Sequence, residues 1–491
     1  MHSVDSPRVE TRLPRVETRG YLRPSLRDEN PAASRLFVPR TDEGSPGIHS
    51  RVTGPWNQGA VLATALLLFA VPLTAQDLVI DGGTVHTLAG EPFVGRVVIH
   101  DGLIAAVGPD AEAPAGAATL DAAGLHVYPG MFDAFGQLGL TEVGAISATV
   151  DTTELGRFNP HLRAATAFHP ASEVIPVTRA NGITQAVVAP RADRDGVIAG
   201  QAALVSLDGW TVEEMAVEPS LAMVISWPAI RTRSFDFSTF TVRETPFSEA
   251  RDEADEARAE LARWLDAARH YARAMAASSE RAHRDLRLEA LAGVLDGAQP
   301  VIVVASRQRD IEAAVAFAET QGLRMILAGG EEAWKVKELL AEKKIPVILG
   351  RVQDLPAEDD DPYDRPFRNA GELAAAGIPI AFGSGAGGGF GPGGPHSART
   401  LPWESAMAAA YGLSRDQALA ALTVHPARIL GVDDRLGTIE AGKIANLFVS
   451  DGDPLEITTQ VLHLVIAGRE VSTDNRHHSL YERYRARPEA P

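Results

Sequence analysis

The chain contains no cysteine among its 491 residues. That absence removes disulfide bonds, cysteine–zinc sites and cysteine nucleophiles together, and it fits both reducing and oxidising compartments. Positive charge is also scarce, because 46 Lys and Arg stand against 64 Asp and Glu and leave a formal net charge of −18. An acidic surface repels nucleic-acid phosphate and anionic lipid, so the sequence predicts neither as a partner.

Long apolar runs are missing too, apart from one near the start. Residues 60–70 read AVLATALLLFA, with Arg51 upstream and the small residue Ala75 at the expected cleavage point. The run is shorter than the about 20 residues that a membrane span needs. The pattern predicts a secretory signal peptide over 52–75, with a buried helix as the alternative. We therefore expect a periplasmic or secreted protein whose mature chain begins near Gln76 and has no stable membrane span.

The first 51 residues show no hydrophobic period. They contain a tandem copy, PRVETRL at 7–13 and PRVETRG at 14–20, in a setting rich in Arg and Pro. Such a stretch cannot bury enough apolar surface to fold. Segment 1–51 is therefore predicted to be a disordered leader or the product of a start assigned too early. A start near Val52 would leave an ordinary signal peptide.

Short β-rich runs occur at both ends of the mature chain. Near the N-terminal end, Asp101-Gly102 is a hairpin turn signal between two such runs, and Ala467-Gly468 turns the chain in a similar setting near the other end. We predict that segments 76–128 and 436–475 form one small composite β-sandwich domain. Residues 476–491 are expected to be a C-terminal tail.

Segment 129–435 alternates apolar runs with helical stretches, which indicates an α/β domain with a parallel sheet covered on both faces. Eight such units predict a (β/α)8 TIM-type barrel. The longest helix is expected from Pro246 to about Met275, with an apolar stripe from Ala250 to Ala272. The eight strand-like runs are His126–Phe135, Ile183–Ala189, Ala202–Leu207, Leu221–Ser226, Val301–Ala305, Arg324–Ala328, Pro346–Leu349 and Ile378–Phe382.

Two motifs carry a family resemblance. Residues 128–138 read YPGMFDAFGQL at the join between the β region and the first barrel strand, and residues 422–431 read LTVHPARILG, followed by GTIEAGK at 437–443. Over roughly residues 77–484 the chain resembles the amidohydrolase superfamily, especially its imidazolonepropionase-like branch. The resemblance implies a metal-assisted hydrolase of non-peptide carbon–nitrogen bonds, with zinc as the expected cofactor.

The same resemblance implies metal ligands at fixed places, and this chain has none there. In the family a His-x-His pair ends the first strand, histidines end strands five and six, and an aspartate follows strand eight. A bridging lysine is also missing from the fourth strand, Leu221–Ser226. Catalytic zinc usually has three protein ligands, so we predict a degenerate site and no resident metal. The ligand positions hold Phe135, Gln137, Val304, Gly329 and Gly385.

Other patterns have weaker functional interpretations. Gly383–Gly388 fits a dinucleotide-binding G-x-G-x-x-G run, but Pro392 and Pro395 follow instead of a helix, so a loop at the barrel mouth is favoured. The acidic run Glu358–Asp361 is interpreted as a solvated loop. Four histidines are interpreted as exposed or structural residues: His161, His169, His396 and His425.

The active sites of such barrels lie at the carboxyl ends of the strands. Two main hypotheses remain for the polar residues there: a hydrolase with altered or lost chemistry, and a pseudo-enzyme that binds a small molecule or partner. A nucleotide-dependent enzyme is a third, and a homo-oligomer is compatible with each. The candidate residues at the barrel mouth are Gln137, Glu142, Arg191, Arg307, Glu331, Glu332 and Arg351.

Overall fold

The computed structural model describes residues 77–193, 195–236, 241–277, 283–387 and 394–487. The predicted leader at 1–51 and signal peptide at 52–75 lie outside these ranges. Within the described ranges, no helix combines the length and the apolar character that crossing a membrane requires.

The described ranges contain strands and helices in the alternation expected for an α/β protein. The strands are β1 (Leu78–Val85), β2 (Phe93–His100), β3 (Leu103–Gly108), β4 (Ala118–Asp121), β5 (His126–Pro129), β6 (Met131–Gly136), β7 (Ile183–Val188), β8 (Ile198–Ser206), β9 (Ala216–Ser226), β10 (Arg233–Asp236), β11 (Thr241–Glu244), β12 (Val301–Ala305), β13 (Met325–Gly329), β14 (Val347–Leu349), β15 (Ile380–Phe382), β16 (Leu447–Ser450), β17 (Val461–Ile466) and β18 (Arg469–Val471). The helices are α1 (Ala164–Ala167), α2 (Val174–Arg179), α3 (Val212–Met215), α4 (Phe247–Ala277), α5 (Leu286–Ala290), α6 (Ala292–Leu295), α7 (Gln308–Gln321), α8 (Lys337–Glu342), α9 (Arg365–Ala375), α10 (Leu401–Ala410), α11 (Arg415–Ala420), α12 (Val424–Leu430) and α13 (Arg476–Arg485). Short 3-10 turns occupy Ser147–Thr149, Ala333–Val336 and Pro395–Thr400.

Strands from both ends of the described chain share one sheet, which we call the end sheet. Its order is β18-β17-β16-β5-β1-β2-β3, and β4 pairs with β1. The two ends meet where β16 runs antiparallel to β5, with Leu447 opposite Pro129 and Val449 opposite Val127. Apolar residues from both ends, among them Ile80 and Leu447, pack in one buried cluster. The strands form one mixed sheet, and the sandwich arrangement stays a prediction.

The two turn signals of the end sheet form hairpin turns. Asp101 and Gly102 have φ angles of 49° and 80°, and Ala467 and Gly468 have φ angles of 48° and 77°. Two consecutive left-handed residues are the geometry of a tight turn whose twist matches the flanking strands. The first turn joins β2 to β3 and the second joins β17 to β18.

The other large sheet is a nearly closed barrel of eight strands, ordered β15-β14-β13-β12-β9-β8-β7-β6. All eight predicted strand runs contribute to it. The expectation of an entirely parallel sheet is wrong at β8, which pairs antiparallel with both β7 and β9. The reason is length, because a parallel crossover needs a dozen or more residues. The connection 189–197 contains no helix, and the connection 207–215 contains only α3.

The barrel interior is apolar. Small and branched side chains alternate along the strands so that one face of each strand fills the centre and the other packs against the surrounding helices. The interior cluster is continuous from β6 around to β15 and includes Phe132, Ala134, Val187, Ala202, Leu204, Ala222, Val224, Ile302, Ile326, Ala328, Ile348 and Ala381. The barrel is thus a packed core and not a channel.

Helix α4 is the longest and packs along the outside of the barrel through a stripe of buried residues, as its 3.6-residue spacing predicts. The stripe runs from Ala250 to Ala268 and includes Leu261 and Leu265. The prediction that it continues to Ala272 is wrong, since that residue is exposed. At the far end of the chain, the predicted tail contains helix α13.

Candidate active site

The first and last barrel strands are joined through the side chain of Asp133. The backbone N–H of Ser384 donates to its Oδ1 at 2.9 Å, and the Ser384 hydroxyl donates to its Oδ2 at 2.5 Å. The backbone N–H of Gly385 also donates to the carbonyl of Phe135 at 2.8 Å. Asp133 is fully buried, and burial raises the pKa of its carboxyl while the bonds from Ser384 act in the opposite sense. We call this contact the barrel seam.

The glycines at the seam are required by close approach of the backbone. A Cβ on Gly383 would lie 2.7 Å from the carbonyl oxygen of Phe135, and one on Gly136 would lie 2.3 Å from Oδ2 of Asp133. Contacts this short exclude any side chain at either position. The first glycine of the predicted G-x-G-x-x-G run therefore has a structural reason for being glycine.

The family's metal-ligand positions lie close to the barrel mouth. Phe135 is buried in the apolar cluster of the barrel interior, and Gln137 and Val304 are half-buried. Gly329 has a φ of 98°, and a Cβ there would lie 3.0 Å from the Ala305 carbonyl oxygen. A side chain at that position would be strained by the left-handed backbone and tightly packed against the Ala305 carbonyl. A Cβ on Gly385 would lie 3.2 Å from the α-carbon of Gly136.

The side chains near the mouth do not fit a divalent metal. Within the described ranges, no group of three or more His, Asp or Glu side chains converges in a way that could hold a metal ion. His161, His169 and His396 are all exposed. The fourth histidine, His425, lies at the opposite end of the barrel, among residues that precede β13, β14 and β15. A water-activating zinc needs several fixed ligands, and we derive no catalytic step through one.

A charged cleft of about 820 Å³ opens beside the carboxyl ends of β9, β12 and β13. Its volume suits a small-molecule site. Of the predicted candidates it contains Arg307 and Glu332. Its charged lining residues are Arg231, Arg233, Arg307, Arg309, Asp310, Glu312, Glu332 and Glu358. We call it the arginine cleft.

Glu332 organises one wall of the arginine cleft. Its side chain is only 6% exposed. Its Oε2 accepts the backbone N–H of Gln308, the first residue of α7, at 2.6 Å. Its Oε1 pairs with Lys335 Nζ at 2.9 Å and lies 3.6 Å from a guanidinium nitrogen of Arg307. A carboxylate at a helix N-terminus is stabilised by the helix dipole and the free amides, so the position of Glu332 is fixed.

Asp310 lies on the first turn of α7 and is almost fully buried at the cleft. Burial raises the pKa of its carboxyl, and Arg309, Arg258 and Arg231 oppose that rise. Arg258 approaches its Oδ1 at 3.4 Å. Nη2 of Arg309 donates to the carbonyl of Ile230 at 2.8 Å, and this bond orients the Arg309 side chain along the cleft. Burial thus favours the protonated form of this carboxyl, and the arginines favour its charged form.

The remaining predicted residues do not line the cleft. Arg191 is exposed, Glu331 is half-buried, and Arg351 is half-buried and donates to the carbonyl of Gln353 at 3.2 Å. Glu142 is half-buried near the end of β6, and its Oε1 is buried without a hydrogen-bond partner. Gln137 is half-buried in the same region.

The interpretation of the acidic run as a solvated loop is wrong at its last residue, Asp361. Glu358 pairs with Arg307 across the cleft. Asp361 has a side chain only 9% exposed and lies 3.5 Å from Lys335 Nζ. The other three residues, Glu358, Asp359 and Asp360, are exposed acids as predicted.

Sequence reasoning missed several residues of the cleft and the seam. Asp133 carried a signal, since an aspartate inside a continuous apolar strand needs a partner when buried. Asp310 follows a strand end and begins a helix, which was a weaker signal. Arg231 and Arg233 gave none, because only folding brings the segment after β9 beside Arg307.

Together, the barrel and the end sheet define an α/β-barrel protein. The amidohydrolase family model matches residues 338–471. This match supports the assignment to the amidohydrolase superfamily that the motifs at the two ends of the chain predicted.

Two known proteins illustrate the similarity. The chain is 26% identical over 408 residues to amidohydrolase tasK of Hapsidospora irregularis, a match that covers 77% of this chain and 40% of that protein. The chain thus spans about two fifths of the length of this curated relative. The crystal structure of an amidohydrolase from Thermotoga maritima MSB8 is 25% identical, with a TM-score of 0.69, and the match covers 80% of this chain and 99% of that one.

Proposed function

We propose that this protein is an exported hydrolase of non-peptide carbon–nitrogen bonds that works without a resident metal, in the arginine cleft. The observation that carries the proposal is the pairing of a buried carboxyl of raised pKa, Asp310, with a second fixed carboxylate, Glu332, in one cleft. Similarity to the amidohydrolase superfamily supports hydrolysis as the reaction class. The position of the reaction within this chain, and its independence of metal, are our inference.

The lining of the barrel mouth supports this choice of site. The centre, where the superfamily's chemistry would be expected, is closed by Phe135 and the apolar cluster around it. The charged groups lie to one side, in the cleft beside β9 and β12. A low-dielectric cleft with several arginines stabilises negative charge that develops on a carbonyl oxygen. The substrate class is therefore a small amide or cyclic imide, and an anionic group on it would suit the arginines.

The proposed step uses the two carboxyl groups in opposite roles. Glu332 accepts a proton from water as the water oxygen bonds to the carbonyl carbon. The carbon–nitrogen bond then breaks, and the leaving nitrogen takes the proton of Asp310. The products are a carboxylic acid and an amine, and solvent returns the proton from Glu332 to Asp310. Arg307 and Arg309 hold the carbonyl oxygen or the anionic group of the substrate.

The test combines metal analysis with an activity assay on a chain that begins at Gln76. Hydrolysis of a panel of amides and cyclic imides is measured with and without a chelator, and metal content is measured on the same protein. We expect activity that survives chelation and falls about a hundredfold or more in Asp310→Asn. Asp266→Asn, an exposed aspartate on α4, is the matched control and should retain activity.

Two results would overturn the proposal. Stoichiometric metal together with activity abolished by the chelator would identify a metal hydrolase, and His161, His169 and His396 would be the first residues to mutate. Binding of a panel compound without any hydrolysis would identify a pseudo-enzyme that binds small molecules. A homo-oligomer is a separate proposal, which small-angle scattering of the same protein would check through the particle mass.

A further inference from the structure

A second cavity lies at the opposite end of the barrel from the arginine cleft. It has a volume of about 480 Å³ and is formed where the chain enters β13, β14 and β15, with α12 across from them. We call it the basal pocket. Its size is that of a small-molecule site, and the active face of the barrel does not contribute to it.

The charge of the basal pocket is one-sided. Arg324, Lys344 and Arg428 line it together with the half-buried His425, and none of the lining residues is acidic. Within the described part of the chain, none of the three cations has a carboxylate within 4 Å. The neighbouring Lys343, by contrast, pairs with Glu319 at 2.7 Å. In a chain of net charge −18, three cations without ion pairs around one cavity mark a positive local potential.

Lys344 gives an independent indication that its side chain matters. Helix α8 ends in a Schellman motif, in which Ile345 N–H donates to the Leu340 carbonyl at 2.9 Å and Lys344 N–H donates to the Ala341 carbonyl at 3.2 Å. In a Schellman motif the residue just after the C-cap has a left-handed backbone, and here that residue is Lys344, with a φ of 56°. Glycine adopts this conformation without strain and is the usual residue there. The chain instead places a lysine at the rim of the pocket.

The floor of the pocket is apolar, and its histidine is held in place. Apolar residues that enter the strands, including Ile326 and Ile378, share the lining with Ile429 of α12. A ring nitrogen of His425 lies 3.1 Å from the carbonyl oxygen of Ile380, so the orientation of the imidazole is fixed. An apolar floor beneath a cationic rim fits an anionic head group attached to a compact apolar body.

We propose that the basal pocket binds a small organic anion, with a phosphate or carboxylate head held by Arg324, Lys344 and Arg428 and an apolar body against the floor. Arginine and lysine both bind such heads through charge-assisted hydrogen bonds. The ligand is distinct from the substrate of the arginine cleft, and its binding does not depend on the proposed hydrolase activity.

A rival explanation is purely structural. Arg428 lies in the last turn of α12, and Gly431 caps that helix. A guanidinium nitrogen of Arg324 lies 3.9 Å from the place where a Cβ on Gly431 would stand. Cations near a helix C-terminus are stabilising by themselves, and Arg428 also lies in the field of Glu440. This alternative predicts that removing the arginines affects stability only. It makes no use of Lys344.

The test is calorimetric titration of the chain from Gln76 with four probes. Phenyl phosphate and benzoate carry an anionic head and an apolar ring, phenol lacks the charge, and inorganic phosphate lacks the ring. We expect phenyl phosphate or benzoate to bind more tightly than inorganic phosphate, and phenol not to bind. The double variant R324Q/R428Q should weaken the bound probe at least about tenfold.

Lys344→Gly separates ligand binding from stability. It relieves the left-handed backbone, so the thermal midpoint should stay the same or rise, while the affinity for the probe falls by about tenfold. R251Q/R263Q, two exposed arginines on α4, is the matched control and should bind as the parent does. The proposal is overturned if no anionic probe binds the parent, if binding survives in R324Q/R428Q and Lys344→Gly, or if Arg307→Gln abolishes it, which would place the probe in the arginine cleft.

Discussion

The carboxylate of Asp133, on the first barrel strand, accepts both the backbone N–H and the hydroxyl of Ser384, which follows the last. One side chain thus fastens the two edges of the barrel sheet to each other. Asp133 and Ser384 lie 251 residues apart in sequence, so the contact joins the beginning of the barrel to its end. The stability of the barrel should therefore depend on this pair more than on an ordinary surface hydrogen bond.

Asp133→Ala should lower the free energy of unfolding by about 1–3 kcal/mol, because it leaves buried donors of Ser384 without a partner. Asp133→Asn retains an acceptor for the backbone amide and should cost less. Chemical denaturation followed by fluorescence measures both. Asp266→Ala, at an exposed site on α4, is the control, and an equal loss in the control and in Asp133→Ala would contradict the role of the seam.

The seam should also give a pH dependence of known sign. The pKa of the Asp133 carboxyl is raised in the folded protein by burial, so the folded state retains the proton more strongly than the unfolded state. Its contribution to stability is then fully present below the unfolded pKa, near 3.8, and is lost as the pH rises through the folded pKa. Measured across that range, the stability of the parent relative to Asp133→Asn should fall with rising pH. A difference that grows with pH would be the wrong sign.

The end sheet should fail as a unit when its C-terminal strands are removed. A chain that stops at Gly437 loses β16, which pairs along β5, and the strands left behind lose their central neighbour. Hydrogen exchange should then show β1 to β5 unprotected. A chain that stops at Thr473 retains β16 to β18 and is the control. Full protection of β1 in the shorter chain would show that the two segments are independent.

Restoring histidines at Phe135 and Gln137 should not create a metal site. Val304, Gly329 and Gly385 still stand at the other ligand positions, so the double variant lacks the ligands that catalytic zinc needs, usually three from the protein. Elemental analysis should find less than about one zinc per chain in F135H/Q137H and in the parent alike. One tightly bound zinc per chain in the variant would contradict this explanation.

Glu332→Ala should destabilise the wall of the arginine cleft by about 1–3 kcal/mol, since it leaves the N-terminal amide of α7 and the ammonium of Lys335 without their acceptor. Glu332→Gln should cost less because its amide oxygen still accepts from Gln308. Thermal unfolding ranks the two against Glu338→Ala, an exposed residue of α8. Equal losses in Glu332→Ala and Glu332→Gln would show instead that only the charge of Glu332 matters.

The apolar runs predicted the barrel strands well, because burial on both faces leaves a continuous run of Val, Ile, Leu and Ala. They could not predict that β8 is antiparallel to its neighbours, because a buried apolar run such as Ala202–Leu207 is compatible with a parallel or an antiparallel strand. The lengths of its two connections carried that information. The mouth was harder still, because Arg231, Arg307 and Glu358 lie far apart in sequence and meet only in the fold.

The barrel seam is a second feature that local sequence patterns could not predict. Asp133 stood inside the motif that indicated the superfamily, and Gly383 stood inside the run tested as a nucleotide loop. In the sequence, each residue was interpreted only from its neighbours along the chain. In the structure the two residues belong to one contact, because Gly383 lets the two strands come close enough for Ser384 to reach Asp133.

The pairing of β5 with β16 fixes an order of events during synthesis. The ribosome makes β1 to β5 early, but the partner strand at Leu447–Ser450 emerges only after the entire barrel sequence has been made. Until then β5 has an open edge, and open edges recruit strands of other chains. A nascent copy of this protein is therefore vulnerable to aggregation while about two thirds of its sequence is translated, and this interval is where a holding chaperone would act.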